Sequence, residues 1–233
     1  MNIQKSFEHN QDGAIYLVPT PIGNLEDITY RALNILKEAT VIAAEDTRNT
    51  KKLLNHFDIH TPLTSYHEYT KKEKIEHLIN QAQNGALIAV VSDAGMPAIS
   101  DPGVAIVEAA LEQHVKVIVL PGANAALTAL VGSGLATDQF YFYGFLPRKK
   151  KEKLNALNNL KQIPATLIFY ESPFRIKDTL EVLQEVFGKR KVTLARELTK
   201  RFEEYIRGSI DEVVSWVKEE DLKGEFVIVV EGA

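Results

Sequence analysis

Five consecutive apolar residues, Leu87 to Val91, run straight into a loop that holds Gly95, Pro97, small Ala and Ser residues and two carboxylates, Asp93 and Asp101. An apolar run of this length offers no face to water, so it reads as a strand buried on both sides in a helix-covered parallel sheet. After the loop, Asp101 and Pro102 stand where an N-cap and a first helical residue belong. Open α/β sheets bind ligands where loops leave the carboxyl ends of their strands. Residues 92–103 are therefore the first candidate binding site.

The same texture recurs along the chain. Residues 14–18 predict a strand, followed by a loop at 19–27 whose two prolines and glycine forbid regular structure. Ile28, Ala32, Ile35, Leu36 and Ala39 then follow helical spacing. A second strand, 41–44, gives way to Glu45, Asp46 and Arg48, with Asp46 suited to cap a helix reaching about His56. A third strand, 62–66, ends at His67 and Glu68; Thr70 and Glu73 are then spaced as a capping box, and Gly85 is a natural stop. A further strand, 115–120, is broken by Pro121 and Gly122 before a small-residue helix over 123–133.

This alternation predicts right-handed βαβ units and a mainly parallel sheet in an N-terminal α/β domain of residues 14–143, preceded by a flexible tail, 1–13. At Phe140 the texture changes: an aromatic run gives way to a glycine- and proline-bearing basic connection over 144–153, which places a domain boundary after residue 143. Residues 144–233 read as a second α/β domain with strands at 165–170, 191–196, 203–207 and 225–230. Its helices are expected at 173–187 and from Ser209, which is spaced from Glu212 as a capping box. Two successive strands there predict a mixed sheet.

Composition narrows the function classes. A chain of 233 residues, 45% apolar and 25% charged, can build two cores. Without cysteine it has no disulfide or thiolate metal site, which fits a reducing compartment. No apolar run approaches the roughly 20 residues that span a bilayer, and the first residues carry no signal-peptide core, so a cytoplasmic protein with no membrane partner is expected. The net charge of −4 is uneven: residues 1–120 hold 10 Lys and Arg against 15 Asp and Glu, the remainder 17 against 16. A nucleic-acid partner would meet a local patch, and Arg148, Lys149, Lys150 and Lys151, near Tyr141, Tyr143 and Phe145, form the one candidate. No dinucleotide fingerprint, Walker A loop, zinc-protease motif or nucleophile elbow is present. His56 and His60 sit one turn apart at a helix end, too few ligands for a metal. The residues alone lead to a two-domain α/β ligand binder.

Six segments carry more than this: VPTPIGNLEDIT (18–29), AEDTR (44–48), SDAGMPAISDPG (92–103), LPGANA (120–125), FYGFLP (142–147) and FYESPFR (169–175). In this order they resemble the small-subunit ribosomal RNA methyltransferase I family of the tetrapyrrole methylase superfamily, over residues 14–231. The resemblance implies an S-adenosyl-L-methionine-dependent enzyme with the donor in the cleft between its domains, a homodimer, and 2′-O-methylation of a cytidine in the decoding region of small-subunit rRNA, free or assembled. It places the donor against Ile22, Asp93, Met96, Asn124, Ala125, Tyr170, Glu171 and Leu198. Glu45 or Asp46 is the expected general base, with His67 and Glu171 behind them, and Arg48 joins the basic run 148–151 in holding RNA. The family continues past the position of Glu231 into a short helical extension, whereas this sequence stops at Ala233. The alternatives are a methyltransferase of a tetrapyrrole or other small molecule, and an inactive ribosome-assembly factor. Pro19 to Pro21 and Ser92 to Gly95 differ from the Gly-rich and Gly-Asp-Pro loops of porphyrin-ring methylases.

Overall fold

A parallel strand needs cover on both faces, and Leu87–Val91 shows how the sequence provides it: Ile88 and Val90 join one apolar cluster while Ala89 and Val91 join another. The computed structural model describes residues 3–6 and 13–233. Its first compact unit runs β1 (Ala14–Leu17), α1 (Tyr30–Glu38), β2 (Val41–Ala44), α2 (Thr47–His56), β3 (Leu63–Ser65), α3 (Lys72–Gln83), β4 (Leu87–Val91), α4 (Val104–Glu112) and β5 (Lys116–Val119). The strands form one sheet in the order β3-β2-β4-β1-β5, parallel throughout. Ala32, Ile35 and Leu36 of α1 bury against one face, and Ile106 and Ala110 of α4 against the other. Neighbouring strands β1 and β4 thus send their helices to opposite faces, which makes their carboxyl ends a topological switch point.

The second unit, residues 124–233, holds α5 (Ala125–Ser133), β6 (Phe140–Phe145), α6 (Lys150–Leu160), β7 (Thr166–Glu171), α7 (Ile176–Phe187), β8 (Lys191–Arg196), β9 (Glu204–Ser209), α8 (Ile210–Glu219) and β10 (Phe226–Val230). Its sheet, β6-β7-β10-β8-β9, is mixed: β6 and β7 are parallel and the other pairs antiparallel. All five residues of the central β10 are buried. Ser209 and Glu212 form the expected capping box at the head of α8.

Several boundaries move. The units divide after Ala123 and not after residue 143, because α5 packs on the second sheet and the aromatic run is itself an edge strand of that sheet. The basic connection contains a helix, α6, which its charge concealed: Leu157 and Leu160 anchor it, and Lys153 is buried with them. Helix α4 starts two residues past Pro102 with Gly103 as its N-cap, so Asp101 does not cap it. Thr70 caps no helix either; its Oγ1 accepts the His67 N–H at 2.7 Å, and α3 begins at Lys72 without a side-chain cap. The loop at 19–27 closes with a 3-10 turn over Leu25–Asp27. Most of the expected tail, 1–13, lies outside the described residues. Within it, the Gln4 amide donates to the Val117 carbonyl at 2.7 Å and accepts the Val117 N–H at 2.8 Å, filling edge positions of β5. Among the described residues no helix is long and apolar enough to cross a membrane.

Candidate functional site

Three loops at the carboxyl edge of the first sheet interlock. Thr20 and Gly95 exchange both backbone hydrogen bonds, at 2.9 and 3.0 Å, joining the loops after β1 and β4. The Thr20 hydroxyl adds a bond to the Ser92 carbonyl, and the Ser92 hydroxyl bonds back to the Gly95 carbonyl. The loop after β5 presses on the same place: a β-carbon on Gly122 would lie 2.5 Å from Pro19 Cβ, so only glycine fits. Gly95, at φ +80°, faces Ile22 Cγ2, and Met96 follows it half-buried. Farther along, Ala98 and Ser100 both take left-handed φ, 68° and 62°. Such conformations cost on the order of 1–3 kcal/mol each for residues with a β-carbon and concentrate at ligand-binding loops.

Around this edge the first unit gathers carboxylates. The Asp46 N–H donates to Asp93 Oδ1 at 3.1 Å and the Asn49 amide to Asp93 Oδ2 at 3.2 Å, which ties the start of α2 to the loop after β4. The Asp93 N–H in turn donates to Glu45 Oε2 at 3.4 Å. Asp46 caps α2 through the Arg48 N–H and takes the Arg48 guanidinium in a two-point pair at 3.0 and 2.6 Å. Those bonds hold its carboxyl at about 2, so it is a weaker base than an ordinary aspartate. Glu45 goes the other way: burial, then the charges of Asp93, Asp46 and Glu68, push its carboxyl up against the lowering effect of the Asp93 N–H. Asp101 is pushed up to about 7, by burial first and then by the charges of Glu45 and Asp93. In the sequence Asp101 reads as a cap, although two carboxylates in one Gly- and Pro-shaped loop were the available signal for a charged cluster. His67 is exposed beyond β3, with its backbone N–H bonded to Thr70.

The remaining expected site residues lie in the second unit. Asn124 caps α5 through the Leu127 N–H at 3.0 Å, and Ala125 is the first residue of that helix. The Tyr170 ring meets Phe142 and Phe145 edge-on at 5.0 and 5.6 Å. Leu198 is buried between Glu197 and Thr199, both at left-handed φ. Glu171 is buried and engaged on both oxygens, by the Ser172 N–H and Arg175 at one and by the Thr179 hydroxyl at the other. That surrounding commits both oxygens to holding neighbouring groups in place. Arg148, Lys149, Lys150 and Lys151 are all exposed at the head of α6, and Tyr141 and Phe145 of β6 are exposed as well; Tyr143 packs instead against Phe169.

The sequence profile of the Tetrapyrrole (Corrin/Porphyrin) Methylases matches residues 14–214, from the first residue of β1 into α8. The chain belongs to that family. This tetrapyrrole methylase is 56% identical over 233 residues to the ribosomal RNA small subunit methyltransferase I of Halalkalibacterium halodurans, covering 100% of this chain and 81% of that protein. To the protein of the same name from Bacillus subtilis it is 53% identical over 231 residues, covering 99% and 79%. Its fold matches uroporphyrin-III C-methyltransferase from Thermus thermophilus complexed with S-adenosyl homocysteine, with a TM-score of 0.63 at 19% identity over 93% of this chain and 97% of that one. The interlocked loops of this tetrapyrrole methylase lie within the matched residues, drawn together at one sheet edge.

Asp101 makes a stability test of the cluster. Its folded-state value of about 7 lies above the ordinary 3.8, so the folded protein keeps a proton that the unfolded chain releases. The stability this contributes is full below about pH 4 and is lost as pH rises through 7. Asp101→Asn should therefore match the parent at pH 3.5 and exceed it at pH 8 by about 1–2 kcal/mol, a figure already reduced for screening at a half-exposed carboxylate. Urea titrations at the two pH values read the difference; an equal effect at both would remove the burial of charge as its cause.

Proposed function

We propose that this tetrapyrrole methylase transfers a methyl group from S-adenosyl-L-methionine to the ribose 2′-hydroxyl of a cytidine in the decoding region of small-subunit rRNA. The observation that carries the reading is the meeting of three Gly- and Pro-shaped loops with the carboxylates Glu45, Asp93 and Asp101. The identity to named rRNA methyltransferases supports the choice of RNA over a small molecule.

The fit to the donor rests on the chemistry of these groups. Gly95 and Gly122 let the three loops close on one another, Ile22 and Met96 offer apolar contact, and the carboxylates favour a cationic sulfonium. Asn124, Ala125, Tyr170 and Leu198 are proposed as further donor contacts. The donor supplies an electrophilic methyl on sulfur. The chain must hold the ribose oxygen in line with the S–CH3 bond, a positioning worth up to about 7–11 kcal/mol, and remove the hydroxyl proton as the O–CH3 bond forms. Glu45 and Asp101 are the groups proposed to take that proton. Asp46, committed to Arg48 and to its cap, steps back from this role, and Glu171 steps back with it. Arg48 and the exposed cations at 148–151 are proposed to hold RNA phosphates, and the working unit is proposed to be a homodimer.

The test is transfer of labelled methyl to small ribosomal subunits from cells lacking this protein, with the product mapped. A 2′-O-methylcytidine in the decoding region is expected. Donor binding without incorporation into subunits or free rRNA would overturn the choice of substrate. A second measurement concerns the basic run. Replacing Arg148, Lys149, Lys150 and Lys151 together with Ala should weaken subunit binding and reduce the slope of log K against log salt by roughly 0.7–0.9 for each phosphate that these cations neutralise. An unchanged slope would take all four out of the interface.

A further inference from the structure

In the basic stretch that opens α6, one cation turns inward. Arg148, Lys149, Lys150 and Lys151 face water, but Lys153 is 3% exposed, and its Nζ donates to the Thr179 hydroxyl at 2.7 Å. That hydroxyl donates to Glu171 Oε2 at 2.7 Å. The other carboxylate oxygen accepts the Ser172 N–H at 2.9 Å and lies 3.3 Å from Arg175 Nε. Arg175 uses its remaining reach on backbone: Nη2 donates to the Leu146 carbonyl at 2.6 Å and to the Pro147 carbonyl at 3.3 Å. One buried network therefore grips the end of β7, the first turns of α7, an inner residue of α6, and the turn immediately before Arg148.

We infer that Arg175 is a positioning residue for RNA recognition: held by Glu171, it fixes the Leu146–Pro147 turn and so sets where the cations at 148–151 stand. This rests on the proposed role of that run in holding RNA phosphates.

The geometry requires a planar fork. Arg175 must serve a carboxylate through Nε and two successive carbonyls through Nη2, directions that an ammonium on a flexible stem cannot reproduce. The groups that meet Arg175 there are two carbonyls, acceptors only, and they are fixed by no other side chain among the described hydrogen bonds. The network also explains why a carboxylate in a strand-end motif is buried: Glu171 faces Arg175, Lys153 and the Thr179 hydroxyl, with Asp178 as the further charge near Lys153. Glu171 acts through Arg175 and is not itself a catalytic residue.

The experiment compares Arg175→Ala, Arg175→Lys and the quadruple alanine variant of residues 148–151, with methyl transfer to small subunits and the salt dependence of binding as readouts. Arg175→Ala should raise KM for subunits about tenfold and flatten the salt slope, with kcat and donor affinity changed less than about twofold, the pattern of weakened substrate binding. Arg175→Lys should keep the charge yet fail to restore KM. Arg175→Ala with an unchanged KM and salt slope, while the quadruple variant weakens binding, would overturn the positioning role and leave the RNA reading standing. If the quadruple variant also leaves binding unchanged, both fall. Should Arg175→Ala fold poorly, Arg175→Lys decides alone: parental KM and slope would reject the fork.

Discussion

Asp101→Asn is expected to slow methyl transfer by about 10²- to 10⁴-fold, the range for removal of a general base. A ribose hydroxyl is a poor acid, so the group that takes its proton is most effective when its own affinity for protons is near the working pH. Asp101 meets that condition at about 7, and Glu45, also raised, faces it with a second negative charge. In the parent enzyme the rate should rise with pH through about 7 as the carboxyl ionises. Glu45→Gln gives the sharper diagnosis. Removing that charge lowers the proton affinity of Asp101, so the rise should move to lower pH, and the Gln carbonyl can still accept the Asp93 N–H. Because the charge of Glu45 raises Asp101, the profile reports on both groups. A near-parental rate and profile in Asp101→Asn, with loss confined to Glu45→Gln, would move the base to Glu45. Retention by both would end the case for a carboxylate base.

The fold was legible where a pattern had a single physical reading. An unbroken apolar run such as Leu87 to Val91 has one sensible burial, and the order of strands and helices up to β5 followed from it. Two adjacent strands near the C-terminal half announced a mixed sheet, which β8 and β9 provide. Misreadings arose where one residue type serves two purposes. The lysines at 149–151 and 153 have the pattern of a solvated connection, yet helix α6 forms there because Lys153 finds a hydroxyl partner inside while Leu157 and Leu160 bury beside it. Asp101 followed by Pro102 has the look of a helix start, but Gly103 takes the cap and frees the carboxylate. The site was legible as a set of loops and not as a set of roles: Glu45, Asp46 and Glu171 are all strand-end acids in the sequence. Only their partners separate them, Arg48 lowering Asp46, burial raising Glu45, and Arg175 with Thr179 enclosing Glu171.

Phe169→Ala should cost about 3–5 kcal/mol of stability, the range for deleting a large buried ring. Phe169 heads the largest fully buried side chains, packs in the cluster that joins α7 and α8 to the second sheet, and sits 5.8 Å from the Tyr143 ring. On β7 it pairs with Ile228 of β10 and with Gly144 of the bulged β6. Its neighbours are thus fixed by ladders on both sides and have little freedom to close over the gap, which places the cost high in the range. The comparison that gives the number meaning lies five residues on, in the same motif: Phe174 is 94% exposed, and Phe174→Ala should stay within about 0.5 kcal/mol of the parent. Urea unfolding reads both, with the midpoint of Phe169→Ala falling and the m-value unchanged. A cost below about 1 kcal/mol at Phe169 would mean that the sheet relaxes around the void, and a lowered m-value would mean that the second core had loosened before it unfolded. The consequence for chemistry follows from position. Phe169 precedes Tyr170 and Glu171, so a softened β7 would loosen the very anchor on which Arg175 depends, and weaker subunit affinity should then accompany the loss of stability.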